Sequence, residues 1–336
     1  MCVPMYIQAK KMKILMAVAI FMYVILLLLE LIHEYVATEP WVGVVMPGIR
    51  LGNQLWILAS SHAIAKSRNA RWCVIGFKGS AYESHIQWTS PPPEDCPGRL
   101  SNIVLLKLSI LFKVIDIGDS YAAYHDKYLV DPYPRIMLTG YLQSFKYFYN
   151  NKTKTVPFSL TSSSDASRWV NRLGITTAIH IRRGDRVDIG IDAMPPLRYY
   201  ELAMRQLQSR FPLQRYVIVT EDPIWVRSHS LFDNMTVLSS SNPSFDMAVI
   251  SECKHKIISV GTFGWWGAFL NDRIDNTTSV VMYPALQIKR GKDNGEFKPS
   301  DYFPEHWTSV DYEKQEYSKS TPQIKRSENV AFNKNT

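Results

Sequence analysis

The chain is short of the signals that mark several large classes of protein. It has only four cysteines in 336 residues, and their spacing matches no metal-binding motif. It has no run of five or more basic residues, so its net charge of +8 favours an anionic small substrate over nucleic acid. No internal repeat and no low-complexity tract is present, which excludes solenoid and collagen-like architectures. What remains, 46% hydrophobic and 20% charged, is a globular composition long enough for two ordinary domains or one large one.

One long apolar run stands near the N-terminus. Lys10, Lys11 and Lys13 precede residues 14–32, whose only charge is Glu30. As a helix this run reaches roughly 28 Å, close to the ~30 Å hydrocarbon core of a bilayer. Glu30 would sit near its far end, within reach of the interface. Basic residues before the run and Glu30, Glu34 and Glu39 within or after it predict a cytosolic N-terminus. A cleaved signal peptide is the alternative, but the run exceeds a usual h-region and no Ala-x-Ala site follows. The expected order is a cytosolic tail over 1–13, a signal anchor over 14–32, a short stem over 33–40, and a luminal body. Asn151, Asn234 and Asn276 then stand in luminal N-glycosylation triplets. Cys73 and Cys96 can pair in an oxidising lumen, whereas Cys253, inside an apolar segment, reads as a buried thiol.

The body alternates apolar strand runs with helical spacing, which predicts parallel, doubly wound α/β structure. Strands are expected over 42–46, 72–77, 114–117, 135–139, 177–181, 216–220, 235–238, 256–260 and, last, 279–283. Helices are expected over 54–66, 165–173 and 195–210, together with an aromatic-rich helix opening at Gly140 and ending near Tyr149. A short helix should follow Glu221-Asp222-Pro223, and two more should start at Ser244 and after Gly261. Thr161-Ser162-Ser163-Ser164 is the best hinge between a first domain over 41–160 and a second over 161–310. The polar segment 311–336 reads as a disordered tail.

Chemistry gathers where predicted strands end, in the second half at His180 to Asp185, Glu221-Asp222 and Gly261 to Trp266. Strand 177–181 runs into Arg182-Arg183-Gly184-Asp185, and two forked, permanently charged donors there suit a phosphate or diphosphate. The bland reading is a solvated pair, or one bridged to Asp185 and Asp188. Pro47-Gly48-Ile49-Arg50-Leu51-Gly52-Asn53-Gln54 is a glycine-bearing loop entering a helix, and Gly261-Thr262-Phe263-Gly264 is another. Asp246 could accept the adjacent N1–H and N2–H donors of guanine, or merely stabilise a helix start. Of Trp265 and Trp266, adjacent on one helix, one is expected in the core and the other is a candidate ligand contact. Trp56 is read as packing or as a sugar platform.

Three motifs, Gly48-x-Arg50-Leu51-Gly52-Asn53-Gln54, His180-x-Arg182-Arg183-x-Asp185 and Thr262-Phe263-Gly264-Trp265-Trp266, resemble in order and spacing the galactoside α-1,2-fucosyltransferase family. Linking segments fit as well: Gly140-Tyr141-Leu142-Gln143-Ser144, Pro196-x-x-Tyr199-Tyr200, and Asp246 through Cys253-Lys254-His255. The resemblance implies a GT-B-like fold, two Rossmann-like domains facing across a cleft, in a type II Golgi membrane protein. It implies GDP-β-L-fucose as donor, the 2-hydroxyl of a galactose in a glycan as acceptor, inversion, and no required cofactor or metal. Carried over, Arg182 binds the leaving diphosphate with Arg183 and His180 in support, and Asp185 orients this group or contacts the nucleotide. Asp246 matches a guanine-binding carboxylate, and Thr262, Phe263 and Gly264 lie against the phosphates. Gly48, Arg50, Gly52, Asn53 and Gln54 form the acceptor-side loop, with Asn53 facing the fucose and the acceptor oxygen. Arginines would take the part a metal plays in other transferases, consistent with the absence of an Asp-x-Asp pair. Ile49 and Gly264 depart from the family, standing where glycine or arginine, and serine, are common. The alternatives are a fucosyltransferase of another linkage (α-1,6 or protein O-linked) and a catalytically silent glycan-binding membrane protein.

Overall fold

The computed structural model describes residues 12–13, 15–29, 39–96, 113–116, 122–150, 153–184, 194–272, 278–287 and 297–314. Residues 15–29 are helical, and large apolar side chains such as Leu15, Ile20 and Phe21 are exposed along that helix. Among the described residues no helix is long and apolar enough to cross a membrane. Much of the stem, the apolar run 103–112, whose pattern fits helix or strand equally, and the tail beyond 314 lie outside the described residues.

Two parallel sheets organise the body, as expected of strands whose residues are almost all apolar and buried on both faces. The first comprises β1 (Trp41–Val45), α1 (Leu51–Ser67), β2 (Arg71–Ile75), the short β3 (Ile86–Trp88), β4 (Lys113–Asp116), α2 (Lys127–Val130) and β5 (Arg135–Thr139). Its strands lie in the order β2-β1-β5-β4, all parallel, with β3 outside the sheet. A hairpin of β6 (Tyr149–Asn150) and β7 (Thr153–Lys154) follows, then β8 (Phe158–Leu160), which pairs antiparallel with β3.

The second unit runs α3 (Ser163–Leu173), β9 (Thr177–Ile181), α4 (Leu197–Arg210), β10 (Tyr216–Thr220), α5 (Pro223–Arg227) and β11 (Thr236–Leu238). It continues through α6 (Pro243–Glu252), β12 (His255–Ile257), α7 (Thr262–Leu270), β13 (Val281–Pro284), α8 (Pro299–Tyr302) and β14 (Thr308–Val310). The strand order is β11-β10-β9-β12-β13-β14, so the winding reverses between β9 and β12. In the first sheet it reverses between β1 and β5. Ligands of open parallel sheets bind at the carboxyl ends of strands flanking such reversals.

The two units share one core. Trp56 of α1 lies 4.1 Å from Trp265 and 5.4 Å from Trp266 of α7, and Phe148 stacks on Trp266 at 5.5 Å. All three tryptophans are fully buried, so neither ring of the pair reaches a ligand and Trp56 is packing. The Trp265 indole N–H donates to the Tyr302 carbonyl at 2.8 Å. Helix α1 is buried on almost every side, because it sits between its own sheet and α7.

Two sequence expectations need correction. The segment 140–149 is not a helix but a turn with one 3₁₀ turn at Phe145–Tyr147. Gly140 (φ 94°) and Leu142 (φ 53°) are left-handed there, which helical backbone forbids. Residues 279–283 do not end the sheet, since β14 adds beyond β13. At the expected domain boundary the Thr161 hydroxyl bonds the Ser84 carbonyl and the Ser244 hydroxyl, each at 3.3 Å, and α3 starts at Ser163.

Candidate functional site

The carboxyl end of β9 builds one wall. Parallel pairing places Thr220 of β10 beside Ile181, so the next residues, Arg182 and Glu221, emerge as neighbours. Arg182 Nη1 forms an ion pair with Glu221 Oε1, and that oxygen also accepts the Arg183 backbone N–H at 2.8 Å. Glu221 thereby holds a largely buried guanidinium in one orientation. Arg183 turns the other way: its Nε donates to Asp222 Oδ2 at 3.2 Å and its guanidinium lies 4.4 Å over the Trp225 ring. Asp222 also caps α5, accepting the Trp225 N–H at 3.0 Å. The two arginines are therefore bridged to Glu221 and Asp222. Asp185 and Asp188 lie outside the described residues.

His180, buried beneath this turn, stacks on Phe263 at 5.7 Å between centroids. Burial, with help from the Arg182 charge and against the pull of Glu221, lowers its pKa to about 4, so the imidazole is neutral at neutral pH. Gly264 packs on its face: a Cβ there would stand 2.3 Å from His180 Nδ1. The structure thus sets Gly264 against the histidine and not in the cavity wall, and a serine would require the ring to move.

The end of β12 supplies the adjoining wall. Gly261 (φ 93°) turns the chain into α7, whose first backbone N–H groups and helix dipole favour negative charge. Asp246 lies on α6, whose cap is Asn242, accepting the Ser244 and Phe245 N–H groups. That leaves the Asp246 carboxylate to Ser240, from its hydroxyl at 2.6 Å and its N–H at 3.2 Å. Burial raises the pKa of Asp246, and the two Ser240 bonds oppose the shift.

The first unit closes the site from the opposite side. The loop after β1 leads into α1 at Leu51, where Gln54 Nε2 donates to the Ile49 carbonyl at 2.9 Å. Gly52 meets the start of α7 so closely that a Cβ would stand 2.6 Å from Thr262 Oγ1 and 2.9 Å from its carbonyl carbon. Asn53 Oδ1 accepts from Thr262 Oγ1 at 2.9 Å and from Gln143 Nε2 at 3.1 Å.

Together these walls enclose a cavity of about 960 Å³. That is at the upper end of the ~300–1,000 Å³ usual for small-molecule sites, room for a ligand of nucleotide-sugar size. Of the residues singled out in the sequence, Gly48, Arg50, Gly52, Asn53, Gln54, His180, Arg182, Asp246, Thr262 and Phe263 line it. Arg183 and Gly264 stand behind the wall, as described above. Asn234 is exposed in a left-handed turn before β11, whereas Asn151 and Asn276 lie outside the described residues. Cys73 and Cys96 are bonded, and Cys253 is buried and free.

Glu221, from the strand-end junction Glu221-Asp222 marked in the sequence, lines the cavity as well. Ser240, Tyr82 and Gln143 belong to or support the site and were not among the candidate site residues read from the sequence. Tyr82 and Ser240 come from irregular loops and had no readable signal.

The family model of glycosyl transferase family 11 matches residues 121–310. Galactoside alpha-(1,2)-fucosyltransferase 2 of Hylobates lar is 24% identical over 295 residues, covering 78% of this chain and 77% of that protein. An alpha-1,2-colitosyltransferase of Escherichia coli is 26% identical over 185 residues, covering 51% of this chain and 61% of that protein. Among solved structures, a mutant of Arabidopsis thaliana FUT1 in complex with GDP aligns with TM-score 0.47 and 12% identity, covering 75% of this chain and 72% of that one.

Proposed function

Because the chain belongs to glycosyl transferase family 11, we propose that it transfers L-fucose from GDP-β-L-fucose to the 2-hydroxyl of a galactose in a glycan, with inversion. The relatives above share an α-1,2 linkage in their names, which supports the position of attachment. The observation that carries the reading is Arg182, fixed by Glu221 beside the start of α7 in a cavity that both units line.

The reaction breaks the bond from the fucose anomeric carbon to the β-phosphate oxygen and forms one to the galactose O2, whose proton leaves to a base or to solvent. As GDP departs, negative charge grows on the phosphate and positive charge on the sugar ring. A preset guanidinium and the N–H groups of α7 stabilise that phosphate more in the transition state than in the ground state. No metal is needed in this scheme, because Arg182 supplies the countercharge. His180 stays neutral and supports Arg182 from below, and Arg183, held by Asp222 and Trp225, stiffens the same turn. The Asp246 carboxylate, held by Ser240, accepts the N1–H and N2–H of guanine. Asn53 faces the sugars from the first unit, in a two-unit, GT-B-like arrangement.

A type II Golgi placement belongs to the same proposal. The exposed apolar helix over 15–29 supports a membrane anchor, and the Cys73–Cys96 bridge supports an oxidising lumen for the body.

The test uses full-length chain solubilised in detergent, with labelled GDP-fucose, a galactose-terminated acceptor and chelator present. Wild type should transfer fucose, and Arg182→Ala should remain folded but lose roughly 10²-fold or more in turnover, the scale of one lost electrostatic stabiliser. Near-normal turnover of Arg182→Ala would remove the assignment.

A further inference from the structure

The side chain of Asn53 is built to be a donor. An amide oxygen has two lone-pair positions, and here Gln143 Nε2 occupies one at 3.1 Å and Thr262 Oγ1 the other at 2.9 Å. The oxygen is thereby fully used, and what Asn53 has left for the cavity it lines is its NH₂ group. The three residues come from three strand ends: Asn53 follows β1, Gln143 follows β5 and Thr262 follows β12. β1 and β5 flank the reversal of the first sheet, and β12 flanks that of the second.

The backbone under Gln143 is shaped for this contact. Leu142 is left-handed (φ 53°), a conformation that a branched, buried side chain rarely adopts. Its carbonyl is pinned by the Ser60 hydroxyl at 2.8 Å and by the Ser144 N–H at 2.9 Å. Ser60 lies on α1, the helix that also carries Asn53, so one helix sets both ends of the contact. Strain of this kind persists where surrounding structure holds it, and it gathers at functional sites. Gln143 itself is buried, 6% exposed, and lies outside the cavity wall, so it can act on a ligand only through Asn53.

We propose that Gln143 is a positioning residue which, with Thr262, locks the Asn53 amide so that it presents N–H, and not oxygen, to an oxygen of the bound substrates. A saturated oxygen cannot accept the hydrogen of the acceptor hydroxyl, so Asn53 does not help to deprotonate it. The recognised atom is either a diphosphate oxygen or a sugar oxygen. The proposal rests on the fucosyl-transfer reading for its kinetics but not for the geometry of the amide.

Gln143→Glu replaces the donor with an acceptor of the same shape, which turns the Asn53 NH₂ away from the cavity. The expected result is a kcat lowered by roughly 10- to 100-fold, at or below the low end of the roughly 10²–10³ for an outright lost transition-state donor, because the amide is turned and not removed. In an Asn53→Ala background the same substitution should change kcat less than about twofold, because its effect passes through Asn53. Gln143→Met, which lacks any donor, should also be non-additive with Asn53→Ala and covers the case in which Gln143→Glu does not fold. GDP affinity then distinguishes the two sources of the oxygen: weakened in Asn53→Ala for diphosphate, unchanged for sugar.

The amide orientation is read independently of turnover by the side-chain ¹⁵N–¹H resonances of Asn53. They should form one pair in wild type and shift in Gln143→Glu. Absence of fucose transfer by wild type, with that shift present, overturns the functional reading and leaves the amide lock standing. An unshifted resonance, a Gln143→Glu kcat within twofold of wild type, or an equal loss with and without the Asn53 side chain overturns the lock.

Discussion

Gly52→Ala tests how tightly the two units must meet. A Cβ at this position would stand 2.6 Å from Thr262 Oγ1, 2.9 Å from the Thr262 carbonyl carbon and 3.0 Å from the Phe263 nitrogen. Carbon atoms in van der Waals contact sit about 3.5–4.0 Å apart, so the starts of α1 and α7 must separate by roughly 0.6–1 Å. Rotation of the Thr262 hydroxyl relieves only the first contact, because the other two atoms are backbone. Overpacking of this kind costs about 1–3 kcal/mol. A misplacement near 1 Å between groups that act together can cost about 10²-fold in rate. The same separation stretches the bond from Thr262 to Asn53. Steady-state transfer from GDP-fucose, alongside thermal unfolding, should show kcat down by about 10- to 100-fold. The unfolding midpoint should fall by about 2–12 °C, at about 2–4 °C per kcal/mol for units of this size. A Gly52→Ala protein with kcat within threefold of wild type would refute the reasoning, since it would show that the α1–α7 approach can relax without consequence.

Further expectations concern stability. Folding depresses the His180 pKa from 6.5 to about 4, so the unfolded chain takes up a proton first as pH falls. Its contribution should be full above about pH 6.5 and be lost progressively down to about pH 4, by about 3 kcal/mol at most. Denaturant unfolding at a series of pH values should show that slope, and His180→Asn should flatten it; identical slopes would contradict the buried neutral imidazole. The buried Tyr199 hydroxyl donates to the Ile258 carbonyl at 2.6 Å, with the Met282 carbonyl at 3.2 Å, tying the strand before Gly261 to β13. Tyr199→Phe should cost about 1–3 kcal/mol by taking the hydroxyl donor from the buried Ile258 carbonyl, while the Met282 carbonyl keeps the Ile258 N–H at 2.8 Å, with the unfolding midpoint as readout and an unchanged midpoint as the contrary result.

Strand and helix positions were legible wherever hydrophobic pattern and punctuation agreed. Strands 135–139, 177–181 and 216–220 occur as read, and Gly261 opens α7 as read. The segment 140–149 failed because its apolar and aromatic residues pack in several directions from a turn that left-handed Gly140 and Leu142 impose. Sequence pattern carries no mark for a left-handed leucine. The cavity-facing role of Arg182 was legible from its position after a buried strand, with Arg183 read as its support at the diphosphate. Register separates the two: it pairs the first arginine with Glu221 at the cavity and the second with Asp222 and Trp225 behind it. Gly264 shows the same limit, because its close approach to His180 joins residues 84 positions apart.

The central claim, α-1,2 fucosyl transfer, is tested most directly by the bond that is made. Wild-type chain should be incubated with GDP-β-L-fucose and a panel of galactose- and GlcNAc-terminated acceptors, and the purified product examined by NMR for linkage position and anomeric configuration. The account predicts one new bond, from an α-configured fucose C1 to the galactose O2. Attachment at any other hydroxyl, retention of the β configuration, or no product from any galactose acceptor would contradict it.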